Sequence, residues 1–240
     1  MRLWGRTSSF NVQKVLWCLG ELDLDFEHKQ VGGAHGGLNT DCFRSLNPLG
    51  KVPVLEDGDV VIWESHTIIR YLAASYSAGN FWPYSPVERS WIDRWMDWAQ
   101  AALQPDFMSL FWGFYRTPAD QRDAAAIQGA VSACQARYVQ LAEQLRSRKY
   151  LAGDNFTFAD IPAGTSLYRY FEMGADVERP PEVEAWSSAQ TYSPHSAPFQ
   201  NFKSARLVDG FSHTFTPLFC DVEFCQRSPR LNERSLKEDL

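Results

Sequence analysis

Several things are scarce or missing in this chain of 240 residues, and each absence removes a class of function. Lysine and arginine (23) are outnumbered by aspartate and glutamate (29), leaving a net charge of −6. The basic residues are scattered, so neither the positive patch that nucleic acid requires nor a polybasic membrane anchor is present. No stretch approaches the ~18 consecutive apolar residues of a membrane span, and the opening MRLWGRTSS lacks the apolar run of a signal peptide. The five cysteines, at 18, 42, 134, 220 and 225, form no CxxC pair and no zinc-ligand spacing. A cytoplasmic protein with reduced thiols, no metal, no nucleic acid and no membrane partner is the expectation. Cys18 reads as a small core residue. No internal repeat is found.

What is present is 45% hydrophobic and 14% aromatic residues, including nine tryptophans, enough for a sizeable core. Residues 1–5 suit a short strand. Val12, Val15, Leu16, Leu19 and Leu22 then recur at three- and four-residue steps, which predicts a helix with one apolar face. Asp25–Val31 reads as a second strand, parallel to the first because a helix crosses between them. GGAHGG is a loop, and Asp41–Leu46 a short helix stopped by Asn47-Pro48. VPVLE (52–56) and VVIWE (60–64), separated by Asp57-Gly58-Asp59, carry a strong hairpin signal. Ser65 is expected to cap a helix to about Tyr76. The order β-α-β, α, β-β-α predicts a thioredoxin-like α/β domain over 1–78.

After a proline-rich linker at 79–85 the pattern is helical over 86–186. Trp91, Trp95 and Trp98 share one helix face, predicted as core or interface. A long helix from about Asp120 to Arg146 carries Ile127, Val131, Cys134, Tyr138, Leu141 and Leu145. Thr157 and Asp160 form a T-x-x-D version of the capping box. The helix it opens must accommodate Pro162, at the expense of a hydrogen bond. From Ser187 the text loses both periods, no tryptophan follows Trp186, and 187–240 is assigned no fold and expected to make few contacts.

Three places can carry chemistry. In GRTSSFNVQKVLWCLGEL, Thr7, Ser8 and Ser9 lie between strand and helix. A helix N-terminus attracts an anion, a thiolate included, and Ser9 and Asn11 can each donate a hydrogen bond to such a sulfur. Ser9 can equally be a plain helix cap. Pro53, inside a strand, marks either an ordinary edge or a cis bond that frees the Val52 backbone to pair with an extended peptide. Glu64-Ser65, ending a strand and opening a helix, offers an acceptor for an ammonium and donors for a carboxylate. It can also be no more than a strand end and a cap. One ligand satisfies all three places: a small peptide with a thiol, a backbone and a free amino-acid end, as glutathione has.

TSSFNVQKVLW, NPLGKVPVLE and WESHTIIRYL, followed by an all-helical half with FTFADIP, resemble the glutathione S-transferase family, near its bacterial theta, delta and nu classes, over about 1–186. The resemblance implies that Ser9 stands where theta and delta members keep a catalytic serine, and Asn11 where nu-like members use an asparagine. It places Val52, Pro53, Glu64 and Ser65 on the glutathione-binding positions, with Lys51 beside them for the glycyl carboxylate. It also implies a homodimer built through both domains, with glutathione as co-substrate. His66 departs from the family pattern and is expected at the surface. Phe107, Phe111, Phe114 and Tyr115, in FMSLFWGFYR, are the candidate wall for an apolar electrophile, or else plain core. Conjugation is the leading activity. Glutathione-dependent disulfide reduction and a non-catalytic dimerisation or binding module are the alternatives.

Overall fold

In the computed structural model, residues 1–191 are described, with 78 and 80 excepted. The tail expected from 187 with no fold is helical over 187–191, and from 192 onward it lies outside the described residues. Four short strands, β1 (Arg2–Trp4), β2 (Glu27–Lys29), β3 (Val54–Asp57) and β4 (Val60–Trp63), form one sheet in the order β2-β1-β3-β4. β1 and β2 run parallel, because α1 (Phe10–Glu21) crosses between them; β3 pairs antiparallel with β1 and with β4. Alternation along the strands sorts side chains between two faces. Leu3 and Leu55 point into the main core with α1 and α3 (Ser65–Tyr76). Trp4 and Val54 face Phe43 and Leu46 of α2 (Asp41–Leu46) on the other side.

The predicted single apolar face of α1 is too narrow a description. Phe10, Val12, Gln13, Lys14, Val15, Trp17, Cys18 and Leu19 are all buried, because α3 covers one side and α7 (Asp160–Glu172) the other. Cys18 is fully buried and unpaired, and burial pushes its thiol well above the usual range, so it is a core residue.

The helical half begins at α4 (Pro86–Trp98), capped by the Ser85 hydroxyl. The rod continues without a break through a wide π-type turn (99–103), α5 (Gln104–Leu110) and a second such turn (111–116). Pro105 has no N–H to donate, and the first wide turn precedes it directly. The inward face of α4 is Ile92 and Met96, leaving Trp91 44% exposed and Trp95 and Trp98 packed edge to face at 5.3 Å. Trp95 and Trp98 pack against the core, and Trp91 is left for the interface alternative. α6 (Ala124–Leu145) starts at Asp123, whose side chain accepts from Ala125 N and Ala126 N. It buries Val131, Cys134, Tyr138, Leu141 and Leu145 as expected, and its Tyr138 ring meets Tyr170 of α7 at 4.5 Å. Pro162 falls in the first turn of α7, where no intrahelical donor is needed, so the expected loss does not arise. α8 (Pro181–Thr191) runs past Trp186 and seats Val183 and Trp186 in the core.

Candidate active site

The register of the sheet gathers the three predicted places at one end. Trp4 pairs with Val54, and Val54 with Trp63. One step beyond this row are Gly5, Pro53 and Glu64, side by side. Gly5 is required there: a Cβ on it would stand 2.4 Å from Val12 Cγ2 and 3.1 Å from Val52 Cβ. The close approach brings the segment 5–9, the start of α1 and the Val52-Pro53 bond together. That bond is cis.

Ser9 occupies the cap position of α1 with extended backbone, yet its side chain makes no cap hydrogen bond. The residue is 8% exposed. Asn11, the second residue of the helix, has its Oδ1 buried without a partner. The Ser9 hydroxyl thus makes no cap bond, and the Asn11 oxygen lacks the protein partner that buried polar groups ordinarily find.

Around Pro53, Asn47 braces the loop: its Nδ2 donates to Lys51 O at 2.8 Å and its Oδ1 accepts from Leu49 N at 3.0 Å. The Lys51 side chain is exposed. Glu64 is held at φ +71°, a costly conformation for a residue with a side chain, of the kind found where function fixes the backbone. Glu64, and not Ser65, takes the cap position of α3; Ser65 is the first helical residue, 4% exposed.

The expectation that His66 lies at the surface is overturned: it is 7% exposed. Its Nε2 lies 3.1 Å from Lys14 Nζ, which also donates to Gln104 Oε1 at 2.6 Å and lies 4.4 Å above the Phe10 ring. Burial lowers the Lys14 pKa to about 7 against the opposing pull of Glu64. Burial, and then the Lys14 charge, lower that of His66 to about 2. A neutral imidazole therefore accepts from the lysine. This cluster ties α1, α3 and α5 together directly behind Glu64.

From Phe10 an aromatic column leads into the helical half. Phe10 stacks on Phe107 (5.5 Å), Phe107 lies 6.0 Å from Phe111, and Phe111 stacks on Tyr115 (5.2 Å). Phe107 is fully buried and Phe111 nearly so, while Phe114 and Tyr115 are half-buried. The first two are core; the column reaches open surface only toward Tyr115. Arg116 and Arg169 stand over the Phe111 ring at 5.4 and 5.7 Å.

Lys14, Gln13 and Arg169 went unnoticed in the sequence. A lysine and a glutamine between Val12 and Val15 were available as a signal, since polar residues inside a helix covered on two sides must be bonded there.

The Val52-Pro53 loop, the start of α1 and Glu64 meet at one end of a four-stranded sheet, a candidate site on a thioredoxin-like domain joined to a helical domain. The sequence description "Glutathione S-transferase, N-terminal domain" matches residues 3–80, and "Glutathione S-transferase, C-terminal domain" matches 103–194. The chain belongs to the glutathione S-transferase family. It is 38% identical to Glutathione S-transferase GstB of Escherichia coli over 195 residues, covering 80% of this chain and 93% of that protein. It is 33% identical to Glutathione S-transferase 3 of Zea mays, covering 79% and 88%. The theta class glutathione S-transferase of Xanthomonas axonopodis pv. citri, solved with glutathione bound, superposes with a TM-score of 0.78 at 40% identity, covering 83% of this chain and 95% of that one.

Proposed function

We propose that this glutathione transferase binds glutathione across the sheet end, ionises its thiol at the start of α1 and joins the thiolate to an apolar electrophile. The single observation that carries this is the start of α1, where Ser9 fills the cap position without a cap hydrogen bond, leaving its hydroxyl to donate beside the first backbone N–H groups of the helix. Ser9 and Asn11 donate to the sulfur. The Val52 backbone, freed by cis Pro53, pairs with the cysteinyl part of the tripeptide. Glu64 accepts from the γ-glutamyl ammonium, the Ser65 hydroxyl and the α3 N-terminus bind its carboxylate, and Lys51 meets the glycyl carboxylate. The electrophile lies against Tyr115 and Phe114, with Phe111 and Phe107 as the packed floor.

The thiolate attacks the electrophilic carbon, a carbon–sulfur bond forms, and the leaving group departs with the bonding pair. Conjugation is favoured over disulfide reduction and over a non-catalytic module by the curated transferases among its relatives. The proposed homodimer is supported by the apolar side chains left exposed on edge strand β4, α3 and α4: Val60, Val61, Trp63, Tyr76 and Trp91. A cytoplasmic setting agrees with the lack, among the described residues, of a helix long and apolar enough to cross a membrane.

The test is retention on immobilised glutathione followed by conjugation of a haloaromatic electrophile, read by absorbance. Retention with conjugation is expected. Retention without conjugation of haloaromatic or alkyl halide substrates, together with turnover of a small disulfide, would replace this reading with the reductase.

A further inference from the structure

We propose that Arg169, on α7 in the helical half, is a positioning residue for the sulfur site, holding the peptide group that carries Ser9. The inference rests on Ser9 as a sulfur ligand. The Ser8–Ser9 peptide is pinned at both ends: Ser9 N donates to Arg6 O at 3.0 Å, and Ser8 O accepts from Arg169 Nη2 at 2.7 Å. The preceding carbonyl is held through the same guanidinium. Thr7 O accepts from Gln13 Nε2 at 3.1 Å, and Gln13 Oε1 accepts from Arg169 Nε and Nη2 at 3.1 and 2.9 Å.

Two consecutive carbonyls before Ser9 are therefore oriented by one side chain from 161 residues away. Ser9 needs such a brace, because its own side chain makes no cap bond that would fix it. With the peptide plane set, the direction of Cβ is set, and the hydroxyl keeps only its side-chain torsion. An arginine suits the task because its planar fork spans both acceptors at once, which a lysine cannot do.

The cation is also an expensive way to hold two neutral oxygens. Among the described residues Arg169 forms no ion pair: Ser8 O, Gln13 Oε1 and the Phe111 ring are its contacts. Burial, and then the neighbouring Arg116, lower its pKa to about 10, so it stays charged at neutral pH. A charge taken out of water without a counter-ion weakens the fold. Its retention at this place fits a task in the site better than a task in stability.

The test titrates the ultraviolet absorbance of the bound glutathione thiolate in the wild type, Ser9→Ala, Arg169→Met, Arg169→Lys and the Ser9→Ala/Arg169→Met double variant. Arg169→Met should raise the apparent thiol pKa by about one unit. At a pH below that pKa, kcat should fall ~tenfold while KM for glutathione changes less than ~twofold. Arg169→Lys should shift it in the same direction by less, and it decides the matter if the methionine variant does not fold. The double variant should shift the pKa by less than the sum of the single shifts. If Ser9→Ala moves the titration and neither Arg169 variant does, the inference falls while the serine reading stands. Full additivity in the double variant overturns it too, since Arg169 would then act as a separate charge. If Ser9→Ala leaves the titration unmoved, both readings fall together.

Discussion

The starts of α1 and α7 are built from similar residue types and finished in opposite ways. At α7 the cap position itself is Ala159, which offers no side-chain cap bond, but the polar side chains around it are fully bonded. Asp160, fully buried, accepts from Leu151 N, Thr157 N and Trp186 Nε1 at 2.9 to 3.0 Å, and Thr157 Oγ1 accepts from Ala159 N. At α1 the cap position is filled by Ser9, whose hydroxyl bonds to nothing in the helix, and Asn11 leaves a buried oxygen bare. One helix start uses its polar groups to join three segments of the helical half. The other withholds them, and it lies where the sheet register brings Gly5, Pro53 and Glu64 together. On the proposed reading, stability and function are separated between two chemically alike places.

The largest effect should come from α7. Asp160→Ala removes the shared acceptor and leaves the Leu151 N–H and the Trp186 indole N–H buried without partners. At about 1–3 kcal/mol for each unsatisfied group, plus the lost bonds, unfolding free energy should drop by roughly 3–6 kcal/mol. Denaturant unfolding gives the number. Protein that remains folded should still bind glutathione with an affinity near the wild type; a selective loss of glutathione affinity without loss of stability would break the division.

A second, smaller effect concerns the buried cation behind Glu64. Lys14 gives up its proton near pH 7 in the folded chain and near 10.5 in the unfolded one. Between those values the unfolded state binds more protons, so raising the pH favours folding. The cost of burying the charge is complete below about pH 7 and fades as pH rises toward 10.5. The charged and titratable groups around it act within that balance: Glu64 favours the ammonium, while His66, itself lowered to about 2 by burial and by Lys14, stays neutral across this window. The stability of the wild type relative to Lys14→Met should therefore rise between pH 7 and 10, by an amount on the order of a few kcal/mol. Thermal melts of both proteins across that range check it; a constant difference would mean that Lys14 keeps its charge throughout.

Much of this was legible because local signals and tertiary packing agreed. Asp-Gly between two apolar runs marked the β3–β4 hairpin, and the T-x-x-D pattern marked the start of α7, since both are settled by neighbours in sequence. The candidate site residues were legible as positions at the ends of strands and helices, and the sheet register brings those ends together. What supports them was not legible. His66 looked like a surface residue because a helix was granted one buried face, whereas the helical half covers a second one and Gln104 of α5 reaches Lys14. Arg169 bonds to a backbone carbonyl, and no residue pattern records that. The tryptophans of α4 were legible as a stripe expected in core or interface, and Trp95 and Trp98 do pack against the core. Their periodicity is real, but Ile92 and Met96 hold the inward face and Trp91 is exposed.

At the sheet end, Glu64→Ala sharpens the comparison by removing the proposed acceptor for the glutathione ammonium. The side chain is exposed and makes no cap bond to α3. Losing a hydrogen bond to a charged group costs about 1.5–3 kcal/mol, a loss of roughly ten- to hundredfold in glutathione affinity. KM for glutathione should rise more than kcat falls, because the contact is remote from the sulfur. Calorimetric titration with glutathione measures the affinity directly, and an unchanged value would reduce Glu64 to a strand-end carboxylate.

The smallest expected change is also the most discriminating: the stability of Ser9→Ala. A serine that caps a helix typically contributes ~1 kcal/mol, because its oxygen satisfies an orphan N–H of the first turn. At α1 that bond is absent, so the substitution should alter unfolding free energy by less than about 0.5 kcal/mol. The same change should raise the pKa of bound glutathione, since a hydrogen bond to an anion favours the ionised form. At about 1.5–3 kcal/mol for such a bond and about 1.4 kcal/mol per pKa unit, the shift is about one to two units upward, shared to the extent that Asn11 also donates. Turnover at neutral pH should fall as the thiolate fraction falls, while affinity for glutathione changes little. Denaturant unfolding and thiolate absorbance on one preparation test both halves of the statement. A stability loss near 1 kcal/mol with an unmoved thiol would make Ser9 a structural hydroxyl, as Thr157 is before α7, and the contrast between the two helix starts would disappear. If Asn11→Ala moves the thiol and Ser9→Ala does not, the contrast survives with the asparagine as the sulfur ligand.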